Sequence, residues 1–218
     1  MNGVQEDFYE RVSEIKYYLD FISEIDMKTI SLVKGHEPAY TKSQTDDLLR
    51  TCKASAFLLM YNLMESTISN AIEAIFDELA SKNVSFDICR LEIKRIVLNN
   101  LKNNHNNEIA LSINSLAIDI ISKTFKKESI FSGNVDAKII RKVASEYGFL
   151  PPSADGRDLL TIKSSRNDLA HGSKSFSEVG RDFSMESILE IRDKVVAYLE
   201  SMLQNVAAYI SNKHYLNP

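Results

Sequence analysis

Through residues 45–82 the apolar positions Phe57, Tyr61, Met64, Ile68, Ile72, Ile75 and Leu79 recur at intervals of three and four. A helix completes a turn in 3.6 residues, so this spacing lays them along one stripe of a single long helix. A second stripe runs through Ile188, Ile191, Val195, Leu199, Met202, Val206 and Ile210. It predicts a closing helix from near Ser184, with Glu186 in the first turn, where a carboxylate suits the helix dipole. Leu189, Val196, Leu203 and Ile210 form a heptad line beside that stripe and widen it.

The weaker patterns fill in the rest. Helical periodicity runs from about Val4 to Val33 and ends near the turn-like "KGHEPAY". Ser85 is expected to cap a third helix through "DICRLEIKRIVLNNL". "KNNHNNE" reads as a polar loop, with Asn106 or Asn107 capping a helix through "IALSINSLAIDIISKTF". After the loop "FSGN" comes a short basic helix, "VDAKIIRKVASEYG", closed at Gly148. The prolines of "FLPPSADG" exclude helix there and deliver the chain into "RDLLTIKSSRNDLAHG". No strand, internal repeat or low-complexity segment is read.

These elements predict an all-α fold, an up-and-down helical bundle with long N-terminal and C-terminal helices. Residues 1–40 are expected to pack on or flank the bundle, and residues 41–218 to form it. Two long helices with such faces need each other, or a twin chain, to cover them. Seven glycines and four prolines in 218 residues agree, since strands need many more turns. The aromatics Tyr17, Tyr18, Phe21, Phe57 and Tyr61 fall at helical spacings and read as core rather than as base-stacking platforms.

Composition mainly excludes. The apolar stretch "ASAFLLMYNLM" is broken by Asn62 and Glu65 and is too short to span a bilayer. "MNGVQEDFYERV" lacks the apolar run of a signal peptide, so a cytoplasmic, soluble protein with no membrane partner is expected. Cys52 and Cys89 fit neither a metal spacing nor a disulfide framework and read as free thiols. No two histidines among His36, His105, His171 and His214 have metal-ligand spacing, and no glycine-rich phosphate loop occurs. Neither a metal nor another cofactor is expected. The net charge of −4 gives no global pull towards nucleic acid. It hides an acid-rich start to Asp26 and a base-rich stretch from Arg90 to Lys127, which read as a basic side on a bundle or simply as solvated charge.

Candidate chemistry concentrates in "SSRNDLAHGSKSF", residues 164–176. On a helix ending at Gly172, Asn167 and His171 share a face with Asp168 beside them, while Arg166 lies about 140° round. His171 in the last turn faces free carbonyls, which favour imidazolium by about 0.3–1 kcal/mol. An imidazole there can exchange a proton near neutral pH, and Arg166 offers a planar fork suited to phosphate. One base and one anion clamp suffice to cleave RNA without metal. The base takes the proton of a 2′-hydroxyl, which attacks the neighbouring phosphorus, leaving a 2′,3′-cyclic phosphate and a 5′-hydroxyl. Spacing alone is weak support, since R-x4-H arises by chance in roughly one chain of this composition in six. A polar helix end, with His171 on carbonyls and Arg166 on a surface acid, fits the same residues. Nearby, Ser173, Lys174 and Ser175 are possible RNA contacts or a plain exposed loop. Glu65 reads either as a partner orienting Arg166 or His171 or as a boundary carboxylate. His105, in its polar loop, reads as solvated.

The motif followed by a long amphipathic helix in an all-α chain resembles the HEPN superfamily, many of whose members are ribonucleases marked by R-x4–6-H with a polar residue after the arginine. Here that residue is Asn167, and "AHG" extends the likeness. "KASAFLLMYNLMESTISNAIEAIFDEL" and "FSMESILEIRDKVVAYLESML" are similar to the N-terminal core helix and closing helix of the MAE-type HEPN-like nuclease branch. The likeness spans about residues 45–212 and is sharp at 164–176. It implies a homodimer that joins two motifs in one cleft, and metal-independent endoribonuclease activity in toxin–antitoxin or anti-phage defence. It carries Arg166 and His171 into the catalytic places and Asn167 into the supporting one. Asp168 is a further supporting candidate without an assured counterpart. Some such toxins are silenced by modification of a tyrosine two residues after the histidine. Ser173 stands there instead, so control is expected to come otherwise, as from a masking antitoxin. The alternative from another class is a non-catalytic HEPN-like dimerisation or RNA/nucleotide-binding module.

Overall fold

A computed structural model describes residues 1–103 and 134–217. The helix expected through "IALSINSLAIDIISKTF", its asparagine cap and His105 lie outside the described residues, as does most of "FSGN".

The fold is all-α. Among the described residues the α-helices are α1 (Asn2–Asp26), α2 (Lys42–Ser81), α3 (Leu91–Asn103), α4 (Ala137–Tyr147), α5 (Arg157–Ala170), α6 (Phe176–Arg181) and α7 (Met185–Ser211). None is long and apolar enough to cross a membrane. The long stripe of α2 is buried throughout, from Phe57 to Leu79. In α7, Ile188, Ile191, Val195, Leu199, Met202 and Val206 are buried, while Ile210 and the heptad-line residues Leu189 and Val196 are half-exposed.

Several boundaries depart from expectation for local reasons. α1 stops at Asp26, short of Val33, because Lys28 takes a left-handed conformation (φ 59°). The amide of Thr29 then donates to the carbonyl of Glu24, and that of Lys28 to Ile25, capping the helix without the usual glycine. A hairpin that the sequence pattern does not predict follows, Val33–Lys34 (β1) paired antiparallel with Glu37–Pro38 (β2) about a turn at Gly35 (φ 67°) and His36. α2 starts before Thr45 because Thr41 and Gln44 form a reciprocal capping box, with Thr41 N donating to Gln44 Oε1 at 2.9 Å. Ser85 does not cap α3. Its hydroxyl bonds the Asp87 carboxylate at the head of a single 3₁₀ turn, Phe86–Ile88, and α3 begins beyond it. α4 matches its prediction, with Asp136 accepting from Ile139 N and Gly148 left-handed (φ 83°).

The chain divides into two compact units. One comprises residues 1–5, 66–103, 134–154 and 199–217 of those described. Its C-terminal end is pinned by Arg90, whose amide donates to Tyr215 O (2.8 Å) and whose guanidinium donates to Gly148 O (2.9 Å) and His214 O (3.1 Å). Arg90 thus satisfies the open carbonyls beyond α4 and α7 rather than adding to a basic surface. Lys94 donates to Asp87 O. Cys89 is fully buried here, and burial pushes its thiol up to about 11. A raised value leaves almost no thiolate at neutral pH, so a disulfide-exchange reagent at pH 7–8 is expected to label Cys52 and leave Cys89 until the protein is unfolded. Two equally fast thiols would contradict this.

The other unit comprises residues 6–65 and 155–198. There α1 packs on α2, burying Phe8, Ile15, Leu19 and Ile22, and Tyr18 Oη donates to Cys52 O at 2.8 Å. Tyr17 and Phe21, expected in the core, are instead exposed (75% and 47%). They lie on the side of α1 turned from α2, as the buried positions 15, 19 and 22 require. α6, unforeseen, begins with a complete capping box between Ser175 and Glu178 and carries Gly180 against the backbone of α2 at Arg50. This unit holds the whole of residues 164–176.

Candidate functional site

α5 ends as the sequence predicts, with His171 as its C-cap and Gly172 left-handed (φ 68°). The carbonyl of Asp168 accepts from the amides of Ser173 (2.9 Å) and Lys174 (3.3 Å), folding the turn after His171 back on the helix. His171 is exposed, and its side chain makes no hydrogen bond or ion pair among the described residues. Arg166 is half-buried and turned to α2. Its guanidinium carbon stands 4.6 Å from the ring centre of Tyr61, and Nη1 donates to Asn167 Oδ1 at 3.0 Å. No bond joins Arg166 to His171.

Two of the alternative readings fall away. Among the described residues Arg166 does not pair with a surface acid. Glu65 does not orient either residue. It is half-buried and has no hydrogen bond or ion pair among the described residues. The groups that hold Arg166 are Asn167, on its own helix, and Tyr61, whose spacing marks it only as core. Tyr61 is 2% exposed, so the cation–π contact is partly desolvated. We expect Arg166→Ala to lower stability by about 1–2 kcal/mol, the range for such a contact with its packing. A thermal melt indistinguishable from wild type would contradict that.

The flanking residues also have partners. Lys174 Nζ lies 3.2 Å from Asp182 and 3.7 Å from Asp168, and these carboxylates, Asp182 foremost, hold its ammonium above the ordinary lysine range. Its charge is therefore shared between two acids, whereas a phosphate contact would need it free. Ser175 Oγ is committed to the α6 cap, while Ser173 is exposed. His36 sits exposed in the hairpin turn, and His214 lies edge-on to Tyr209. Among the described residues no group of three His, Cys, Asp or Glu side chains could hold a metal ion.

Chemically, the arrangement offers an anchored guanidinium and an imidazole at a helix C-terminus, five positions apart, neither with an ion-pair partner among the described residues. No curated protein and no solved structure matches the chain. A family model, that of the MAE_28990-like HEPN domains, matches residues 2–215. The match takes in both long helices, the R-N-x3-H segment and nearly everything else, so the chain belongs to the MAE-type HEPN-like family.

Proposed function

We propose that this protein is a metal-independent endoribonuclease that acts as a homodimer, in a toxin or anti-phage defence role. The observation that carries the reading is the state of Arg166: held by Tyr61 at 4.6 Å and Asn167 at 3.0 Å, yet without an ion pair among the described residues. A guanidinium that merely capped a helix end would take a nearby carboxylate. This one is oriented and keeps N–H groups for a phosphoryl oxygen. His171 takes the 2′-hydroxyl proton, O2′ bonds to phosphorus, and the P–O5′ bond breaks. The leaving oxygen takes a proton from water or from the imidazole of a second copy. Arg166 offsets the charge that grows on the phosphoryl oxygens. Asn167 supports Arg166, and two copies would bring two such pairs into one cleft. A protein antitoxin that masks this cleft suits a chain with Ser173 where a modifiable tyrosine would stand.

The test is single-stranded RNA incubated with the protein in excess chelator. Cleavage should proceed and leave 2′,3′-cyclic phosphate ends, and a strand with a 2′-deoxy sugar at the scissile position should stay whole. Loss of cleavage with chelator, or cutting of the deoxy strand, would refute the mechanism. The second reading, a non-catalytic dimerisation or RNA/nucleotide-binding module, draws on Lys174, whose charge is taken up by Asp168 and Asp182. It predicts RNA binding with no cleavage at all.

A further inference from the structure

Along α5, on the face that carries Ser164 and Asp168 and leads to His171, lies a cleft of about 360 Å³ bounded by α6 and by Asp182 and Phe183 just after it. Its apolar wall includes Leu160, 54% exposed, and Phe183. Phe183 is steadied by Phe57, whose ring centre is 4.6 Å away at a tilt of 50°. Ser165 lines the cleft and is 7% exposed. At the rim stand the carboxylates of Asp168 and Asp182 with Lys174 between them.

The charge decides what the cleft can take. Two carboxylates against one ammonium leave a net negative rim, which repels a phosphate. A flat, neutral group with N–H donors on its edge suits an apolar wall beside carboxylate acceptors. RNA carries such groups as its bases, and single-stranded RNA is read by unstacking a base onto an aromatic or apolar surface and bonding its edge. Cytosine, adenine and guanine present an exocyclic amino donor on that edge, and uracil does not; carboxylates are suited to such amino groups.

We propose that this cleft is a base-recognition subsite that seats an unstacked nucleobase bearing an exocyclic amino group, with Asp168 and Asp182 accepting from its edge. The assignment rests on the reading of Arg166 and His171 as RNA-cleaving groups. Asp168 lies three residues before His171, and its carbonyl holds the turn that follows.

The experiment uses the full chain carrying His171→Ala, so that RNA is bound without being cut. Fluorescence anisotropy compares an oligouridylate with the same strand holding one cytidine, adenosine or guanosine. The amino-bearing strands should bind about tenfold more tightly. Adding Asp182→Asn, an exposed and nearly isosteric change, should bring all four strands within about twofold of one another. Ser165→Ala serves as a second variant and should weaken the amino-bearing strands alone. Equal binding of all four strands by the parent, or a preference untouched by both variants, would overturn the subsite. Base preference in binding together with no cleavage by the wild-type chain would instead sink the nuclease reading and leave the subsite standing.

Discussion

His171→Ala is expected to slow RNA cleavage by about 10²–10⁴-fold, the usual worth of a positioned general base, and to move the melting temperature by less than about 2 °C. The two halves of this expectation have separate grounds. The kinetic half follows from the chemistry, because without the imidazole the 2′-hydroxyl must give its proton to water. The stability half follows from the geometry. His171 is exposed, its side chain has no bond among the described residues, and the turn is held by its backbone amide on Asn167 O at 3.0 Å and by Gly172. The comparison with Arg166→Ala sharpens the test. That variant should lose both rate and stability, because its guanidinium is packed on Tyr61. A His171→Ala protein that unfolds early would show a structural histidine. One that cleaves at the wild-type rate would remove the mechanism altogether. Single-turnover cleavage and a thermal melt on the same preparations decide between these outcomes.

What can be read from the chain in advance follows from where the physics is local. The stripe from Phe57 to Leu79 specifies a helix by spacing alone, and every member is buried. The ends of α4 and α5 are legible because Asp136, Gly148 and Gly172 are residues with strong positional preferences. The end of α1 is not, because Lys28 adopts the left-handed conformation that glycine normally supplies. The capping boxes at Thr41 and Ser175 stand in the sequence as Thr-x-x-Gln and Ser-x-x-Glu, and these signals locate the start of α2 and the whole of α6. Both are short polar patterns among many similar ones, so hydrophobic periodicity does not pick them out. The candidate site divides the same way. Arg166, Asn167 and His171 lie within six positions of one helix, so their spacing is visible. The contact of Arg166 with Tyr61 joins residues 105 positions apart and depends on packing between α2 and α5. The engagement of Lys174 by Asp182 likewise requires α6, which brings the two side chains to one side of its short turn.

Gly180→Ala is expected to cost this fold more stability than the substitutions at Arg166 and His171. In an ordinary exposed helix the change would help, since alanine is favoured over glycine by about 1 kcal/mol. Gly180 is buried, however, and a Cβ there would run into the Arg50 carbonyl oxygen, with the carbonyl carbon only 2.6 Å away and the Cα 2.8 Å away. Those are backbone atoms of a 40-residue helix whose stripe is buried, so they cannot retreat as a flexible side chain would. The six-residue α6 must move instead. Moving it disturbs Val179, the Phe183–Phe57 ring contact and the reach of Asp182 to Lys174. Overpacking of this kind outweighs the helix-propensity gain, and the net loss is expected to be about 3 kcal/mol. For a chain of this size that is a fall in melting temperature of about 6–12 °C. Gly3, on the open side of α1, provides the control, because a Cβ added there meets nothing within 4 Å. Gly3→Ala should be neutral or slightly stabilising. Equal melting temperatures for the two variants would mean that α6 does not approach α2 as closely as its glycine requires.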